Sequence, residues 1–94
     1  MSESIICNDR QCFRCGTTQG LHKHHCISGT SFRRKSEKYG LWVYLCVEHH
    51  TGDTGVHSLK GMSYNYYLRK IAQERFEMTH THEEWMREFK RNYL

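Results

Sequence analysis

The chain has 94 residues, with 14 Lys and Arg against 10 Asp and Glu, and it carries a net charge of +4 before any of its 8 His are counted. That length suits one small domain spanning 1–94. With 37% apolar residues and a mean hydropathy of −0.82, no stretch approaches the roughly 18 apolar residues of a membrane span, so a transmembrane role is excluded and no membrane partner is expected.

The first ten residues, Met1 to Arg10, place two acidic side chains around a short apolar pair and lack a long apolar run. They do not read as a secretory signal, and a cytoplasmic address is expected. Domains of this size usually need a staple of some kind. Five Cys is an odd count, and a reducing compartment disfavours disulfides, so Cys together with abundant His points to metal binding.

In chain order, Cys12-Phe13-Arg14-Cys15-Gly16 reads as a metal knuckle, with Gly16 free to take the left-handed turn conformation. Leu21 to Ile27 then reads as extended, which puts His22 and His24 on one face and His25 on the other. Ser28 to Ser31 is a turn cluster leading into a basic connection that carries Arg33, Arg34, Lys35 and Lys38. Leu41 to Leu45 is an apolar, β-rich run, predicted as a second strand, and it feeds directly into Cys46-Val47-Glu48-His49.

The character changes near residue 60: all five Cys and six of the eight His lie before it, so 1–60 is expected to carry the sites and 61–94 to be helical. Tyr64, Tyr67, Leu68, Ile71, Ala72 and Phe76 recur at helical spacing, with Ser63 the predicted N-cap. Thr81 and Glu84 have the spacing of a capping box ahead of a stripe of Trp85, Met86, Phe89 and Tyr93. The two stripes are predicted to pack on each other as core.

Cys12-x2-Cys15 and Cys46-x2-His49 are two pairs of soft ligands, each with a gap that lets both members face one ion, and tetrahedral zinc fits the set. Four protein ligands leave no open position, so this ion is expected to be structural. Cys7 and Cys26 have no partner at knuckle spacing, although Cys7 stays a weaker candidate ligand. Outside the zinc set, His22, His24, His25, His50 and His57 remain near the two strands. They could build a second, open metal site, and an open divalent site beside an unligated imidazole suits phosphodiester hydrolysis. Residues 61–94 are nearly balanced in charge, with six basic and five acidic side chains, so the positive charge concentrates near these histidines. A basic turn of this kind is more often simply solvated than bound to nucleic acid.

Cys-x2-Cys, Leu-His-Lys-His-His-Cys and Leu-Cys-Val-Glu-His-His, over about residues 12–57, resemble the zinc-stapled HNH endonucleases. More specifically, Ser36 to Leu41, His49 to His57 and the two C-terminal helices resemble the small phage and prophage HNH-type proteins. The resemblance implies an α+β fold with a ββα-metal core on a treble-clef-like knuckle scaffold, followed by two helices. It implies His24 and His50 as ligands of a catalytic divalent ion such as Mg²⁺ or Mn²⁺, and His25 as the general base. His57 falls near where colicin-type DNases supply another His ligand. His22 shares the parity of His24, but a surface strand histidine is the commoner outcome.

The middle Asn of that family is missing, since no Asn occurs between Asn8 and Asn65; Ser36, Glu37 and Tyr39 are the residues that could orient the loop in its place. Two functional expectations follow. One is a phage-encoded, metal-dependent DNA endonuclease in the host cytoplasm, with Arg33, Arg34, Lys35 and Lys38 contacting DNA. The other is a catalytically silent zinc module that binds nucleic acid or inhibits a host defence protein. Tyr64, Tyr66, Tyr67 and Trp85 exceed what one helix pair readily buries, which is compatible with a homodimer.

Overall fold

A computed structural model describes residues 3–94. The elements run β1 (Leu21–His25), α1 (Thr30–Tyr39), β2 (Trp42–Cys46), α2 (Val47–His50), α3 (Met62–Phe76) and α4 (His82–Phe89), so the fold is a small mixed α and β arrangement with one two-stranded antiparallel sheet and four helices. In the sheet His22 pairs with Leu45, Lys23 with Tyr44, His24 with Val43 and His25 with Trp42. Directly opposed residues share a face. His22 and His24 therefore stand with the apolar Val43 and Leu45, while Lys23 and His25 stand with Tyr44 and Trp42. The alternation expected from the sequence is present, although both strands are shifted from the predicted bounds. β1 stops at His25 rather than Ile27, and β2 runs from Trp42 through Cys46.

The predicted basic connection is a helix. Its charged residues are good helix formers, and Phe32, Ser36 and Tyr39 recur on one side of α1 to meet the core. Phe32 lies 6.1 Å from Phe89 and Tyr39 lies 5.1 Å from Phe76, ring centre to ring centre. The fully buried Ser36 hydroxyl donates to the Ile27 carbonyl at 2.8 Å and fastens α1 to the end of β1. Gly40 ends the helix in the left-handed conformation (φ 71°), and a Cβ there would meet the Glu3 carbonyl at 2.2 Å.

Residues 3–20, without helix or strand, lie against the end of α1 and β2 through Ile5 N–H to Gly40 O at 2.9 Å, Phe13 N–H to Tyr44 O at 2.8 Å, and the Ser4 hydroxyl to Trp42 O. α2 is a single turn. The loop after it folds back tightly: a Cβ on Gly61 would come within 1.9 Å of the Gly55 carbonyl oxygen, so only glycine fits this crossing. Gly61, not Ser63, is the N-cap of α3, because the turn closed by Met62 N–H to Leu59 O leads the chain into the helix two residues early.

α4 opens as expected. The Thr81 hydroxyl accepts from Glu84 N–H at 3.1 Å and the Glu84 carboxylate accepts from Thr81 N–H at 3.1 Å. Leu68, Ala72 and Phe76 of α3 and Trp85 and Phe89 of α4 are buried together with Leu41, Val43 and Leu45. Phe76 lies 5.4 Å from Trp85, so the helical stripes do pack on each other. Two members of the predicted stripes depart from helical packing. Tyr67 is 51% exposed. Tyr93 lies past the helix end at Lys90 and is held instead by its N–H, which donates to the fully buried Gln73 side chain at 2.6 Å. Trp85 is fully buried within one chain, so it adds nothing to the surplus read as a dimer surface; Tyr66 is 47% exposed. Among the described residues no helix is long and apolar enough to cross a membrane.

Candidate metal centres and the histidine cavity

The knuckle turn after Cys12 closes through Gly16 N–H to Cys12 O at 2.8 Å, with Gly16 at φ 80° as its composition predicts. β2 delivers Cys46, and the single turn of α2 swings His49 back beside it. The ligand atoms of Cys12, Cys15, Cys46 and His49 all lie within 4.8 Å of one another. Cys15 and Cys46 sulfurs are 3.8 Å apart, and His49 Nδ1 is 3.6 Å from the Cys12 sulfur and 3.4 Å from the Cys46 sulfur. Zinc–sulfur bonds of about 2.3 Å and zinc–nitrogen bonds of about 2.0–2.1 Å at tetrahedral angles give edges of about 3.8 Å and 3.6 Å. The quartet could therefore hold a metal such as zinc.

The electrostatics agree. Burial pushes the Cys12 thiol up, but hydrogen bonds from the Cys46 backbone, the His49 ring and the Cys15 and Arg14 backbone outweigh it and bring it down to about 6. A Thr17 backbone bond lowers the Cys15 thiol, yet desolvation and the neighbouring Cys12 and Cys46 sulfurs outweigh that and raise it. Three crowded sulfurs are a site that a cation relieves. Cys7 is not in the quartet; its thiol meets the Asp9 carbonyl at 3.7 Å. Burial raises the Cys26 thiol to about 12, so it is an inert core residue.

A second group forms on the other side of α2. The ring nitrogens of His24, His50 and His57 lie within 4.8 Å of one another, and His57 Nε2 is 3.3 Å from His50 Nε2. The tight return of the loop through Gly55 and Gly61 is what carries His57 back to His50. His24 is 4% exposed, and its Nε2 has no hydrogen-bond partner. Such an orphan is costly in a buried site, whereas a cation facing it would accept its lone pair. Burial, with His50, His57, His25 and Arg69 nearby, pushes His24 down to about 3, so it stays neutral and able to ligate. Burial lowers His50 as well, helped by His57 and His22. His22 belongs to this arrangement without joining the three: its Nδ1 lies 3.0 Å from the Nδ1 of His50, the nitrogen turned away from His57. That is where a ligand histidine needs an orienting partner.

His25 lies on the opposite face of β1, as its parity requires, yet reaches the same cavity around the strand end. The cavity measures about 550 Å³ and is lined by His24, His25, His50, His57, Lys23, Arg33 and the Ser28-Gly29-Thr30 turn. His25 Nε2 is 3.0 Å from Glu37 Oε1, and Lys23 Nζ approaches the two Glu37 oxygens at 3.1 and 3.3 Å. The His25 bond, joined by Lys23, outweighs desolvation and holds the Glu37 carboxyl below its ordinary range. An ionised carboxylate can only accept, so His25 donates to it from Nε2–H, and in the neutral ring the lone pair is on Nδ1.

Ser36, Glu37 and Tyr39, the residues expected to orient the loop, are placed differently. Ser36 holds the loop through Ile27, and Glu37 holds the imidazole. Tyr39 instead packs against Phe76 and Phe89 in the core.

The basic set is scattered by its helix. Arg33 lines the cavity. Lys35 turns away and donates to the Glu88 carbonyl at 2.8 Å, with the Glu88 carboxylate at 3.5 Å, because α4 packs on that side of α1. Arg34 and Lys38 do not line the cavity, and Lys38 lies 5.2 Å from the Tyr39 ring centre. Sequence reasoning overlooked Lys23 as a cavity residue, although its alternation with His24 along β1 was there to be read. Neither protein-family models, curated proteins nor solved structures give a match to this chain.

Proposed function

We propose that the protein is a metal-dependent, HNH-type endonuclease that hydrolyses DNA phosphodiester bonds, with a ββα-metal core on a treble-clef-like zinc scaffold. The observation that carries this reading is the convergence of three mutually close imidazoles, a fourth histidine fixed by a carboxylate, and an arginine on one cavity, beside a separate Cys/His quartet. The orphaned Nε2 of buried His24 fits a cation. His24, His50 and His57 would hold a divalent ion, and three imidazoles suit a transition ion such as Mn²⁺ or Ni²⁺ better than Mg²⁺, which prefers oxygen donors; when bound, the ion would stabilise negative charge on the leaving 3′ oxygen.

His25 takes the proton of the attacking water on Nδ1 as the new phosphorus–oxygen bond forms and the bond to the 3′ oxygen breaks. Glu37 accepts from Nε2–H throughout and stabilises the imidazolium. Arg33 faces a non-bridging phosphate oxygen. His22 keeps the His50 ring turned toward the other two imidazoles. The zinc quartet is structural and supplies no group to the reaction.

Plasmid relaxation by the zinc-loaded protein, with Mg²⁺, Mn²⁺ or another divalent ion added, tests the proposal. The wild type relaxes plasmid, and His25→Ala abolishes relaxation with zinc content and melting unchanged. Intact plasmid under every divalent ion, from protein that still carries its zinc, refutes it and leaves the binding module or host-protein inhibitor. A single stoichiometric host protein captured from lysate then identifies the latter.

A further inference from the structure

The outward face of the sheet continues past His25. Because Lys23 is paired with Tyr44 and His25 with Trp42, these four side chains stand together on one face. A second cavity of about 380 Å³ opens there, lined by Tyr44, Trp42, Lys23, Arg10 and residues of the N-terminal segment. Lys23 lines both cavities.

Trp42 and Tyr44 meet edge to face at 5.2 Å and 81°, and together they make a corner of two aromatic walls. Each wall carries a cation. Lys23 Nζ is 4.2 Å from the Trp42 ring centre, and the Arg10 guanidinium is 5.6 Å from that of Tyr44. Lys23 is engaged by Glu37, whereas exposed Arg10 has no ion pair among the described residues, although Glu3 lines the same cavity.

Aromatic rings beside an exposed guanidinium without an ion pair recognise a flat ring with an attached anion, and a run of such contacts is how proteins hold single strands without reading sequence. A peptide carboxylate would use Arg10 but leave both rings without a role. A base within a duplex cannot present its face, since both faces are stacked on neighbouring bases.

We infer that this second cavity is a stacking subsite for an unpaired nucleotide flanking the phosphate bound beside His25, so that the protein's substrate is single-stranded or locally opened DNA. Tyr44 stacks on the base, Trp42 forms the floor, and Arg10 meets the phosphate. The inference rests on the proposed function for its direction along the strand, but the binding it claims can be measured apart from cleavage.

Fluorescence anisotropy of a labelled oligothymidylate and of a labelled hairpin duplex, titrated with zinc-loaded protein and no other divalent ion, is the test. Wild type binds the single strand more tightly than the duplex, and Tyr44→Leu weakens single-strand binding by about tenfold or more. Arg10→Gln weakens it too, and because Arg10 is exposed in an irregular segment, that variant keeps the test decisive if Tyr44→Leu melts early. Single-strand affinity unchanged in Arg10→Gln and in a folded Tyr44→Leu overturns the inference, as does a preference for duplex. Tyr44-dependent single-strand binding without cleavage under any ion upholds the subsite and removes the hydrolase. Plasmid cleavage with single-strand binding indifferent to Tyr44 and Arg10 does the reverse.

Discussion

Removing the metal from the Cys12, Cys15, Cys46 and His49 quartet is predicted to release the N-terminal segment rather than merely loosen one loop. Ordering the roughly 18 residues from Glu3 to Gly20, which form no helix or strand, costs about 18 kcal/mol at ~1 kcal/mol per residue. Three hydrogen bonds tie the segment to Gly40, Trp42 and Tyr44, and at ~1 kcal/mol each they offset about 3 kcal/mol. Burial of Ile6 and Cys12, 7% and 1% exposed, adds about 3–4 kcal/mol. Turn hydrogen bonds within the segment, such as Cys12 N–H to Thr17 O, narrow the shortfall without closing it, and the ~10–16 kcal/mol of a structural zinc covers what remains. The helical core of Leu68, Phe76, Trp85 and Phe89 is carried by α3 and α4, and of the quartet only Cys12 and Cys46 join the same buried cluster. Hydrogen exchange read by mass spectrometry, before and after chelation, is the assay. Peptides covering 3–20 and α2 should lose protection, while those of α3 and α4 keep most of theirs. If metal analysis confirms that zinc has gone and the amides of Ile5 and Phe13 stay protected, the segment stands on its own contacts and the reasoning fails.

Glu37→Gln should lower plasmid cleavage by about 10²–10⁴-fold with zinc content intact, because an amide can donate to His25 Nε2 and move the ring hydrogen to the nitrogen needed as base; activity within a few fold of wild type would separate Glu37 from the mechanism. Thr81→Ala removes the capping box of α4 and should cost ~1 kcal/mol, a fall in melting temperature of about 4–8 °C, readable by calorimetry and absent if the cap is immaterial. Iodoacetamide at mildly alkaline pH should add one group to the zinc-loaded native chain, at half-buried Cys7. The Cys26 thiol, raised by burial to about 12, remains protonated over that range and loses reactivity rather than gaining it. A modified Cys26 peptide in native protein would contradict that burial.

The quartet was legible because its spacing is local: each pair is set by one short turn, and the strand before Cys46 advertises itself by composition. The histidine faces of β1 were legible because alternation is a property of any strand. The capping box of α4 needs only three residues to be recognised. α1 was hidden because its core-facing positions are Phe32, Ser36 and Tyr39, and a buried serine in that series breaks the apolar period a reader looks for. Its helical state then decides where the charges go, turning Lys35 to α4 and Arg33 to the cavity, which no count of positive residues could tell. Glu37 could be shortlisted but not chosen, since its partner depends on how α1 crosses the end of β1. The same holds for His57, whose return to His50 depends on glycines in close contact across a loop.

His49 and His50 are consecutive, one facing the sulfur quartet and the other the imidazole cavity, on a helix of four residues. A residue inserted between them would turn His50 by about 100° about the helix axis, leaving the first centre whole and emptying the second of a ligand. Under the proposed function, zinc starvation would silence the cavity even where its own divalent ion is plentiful, so the chain's output reports the supply of an ion that never touches its substrate.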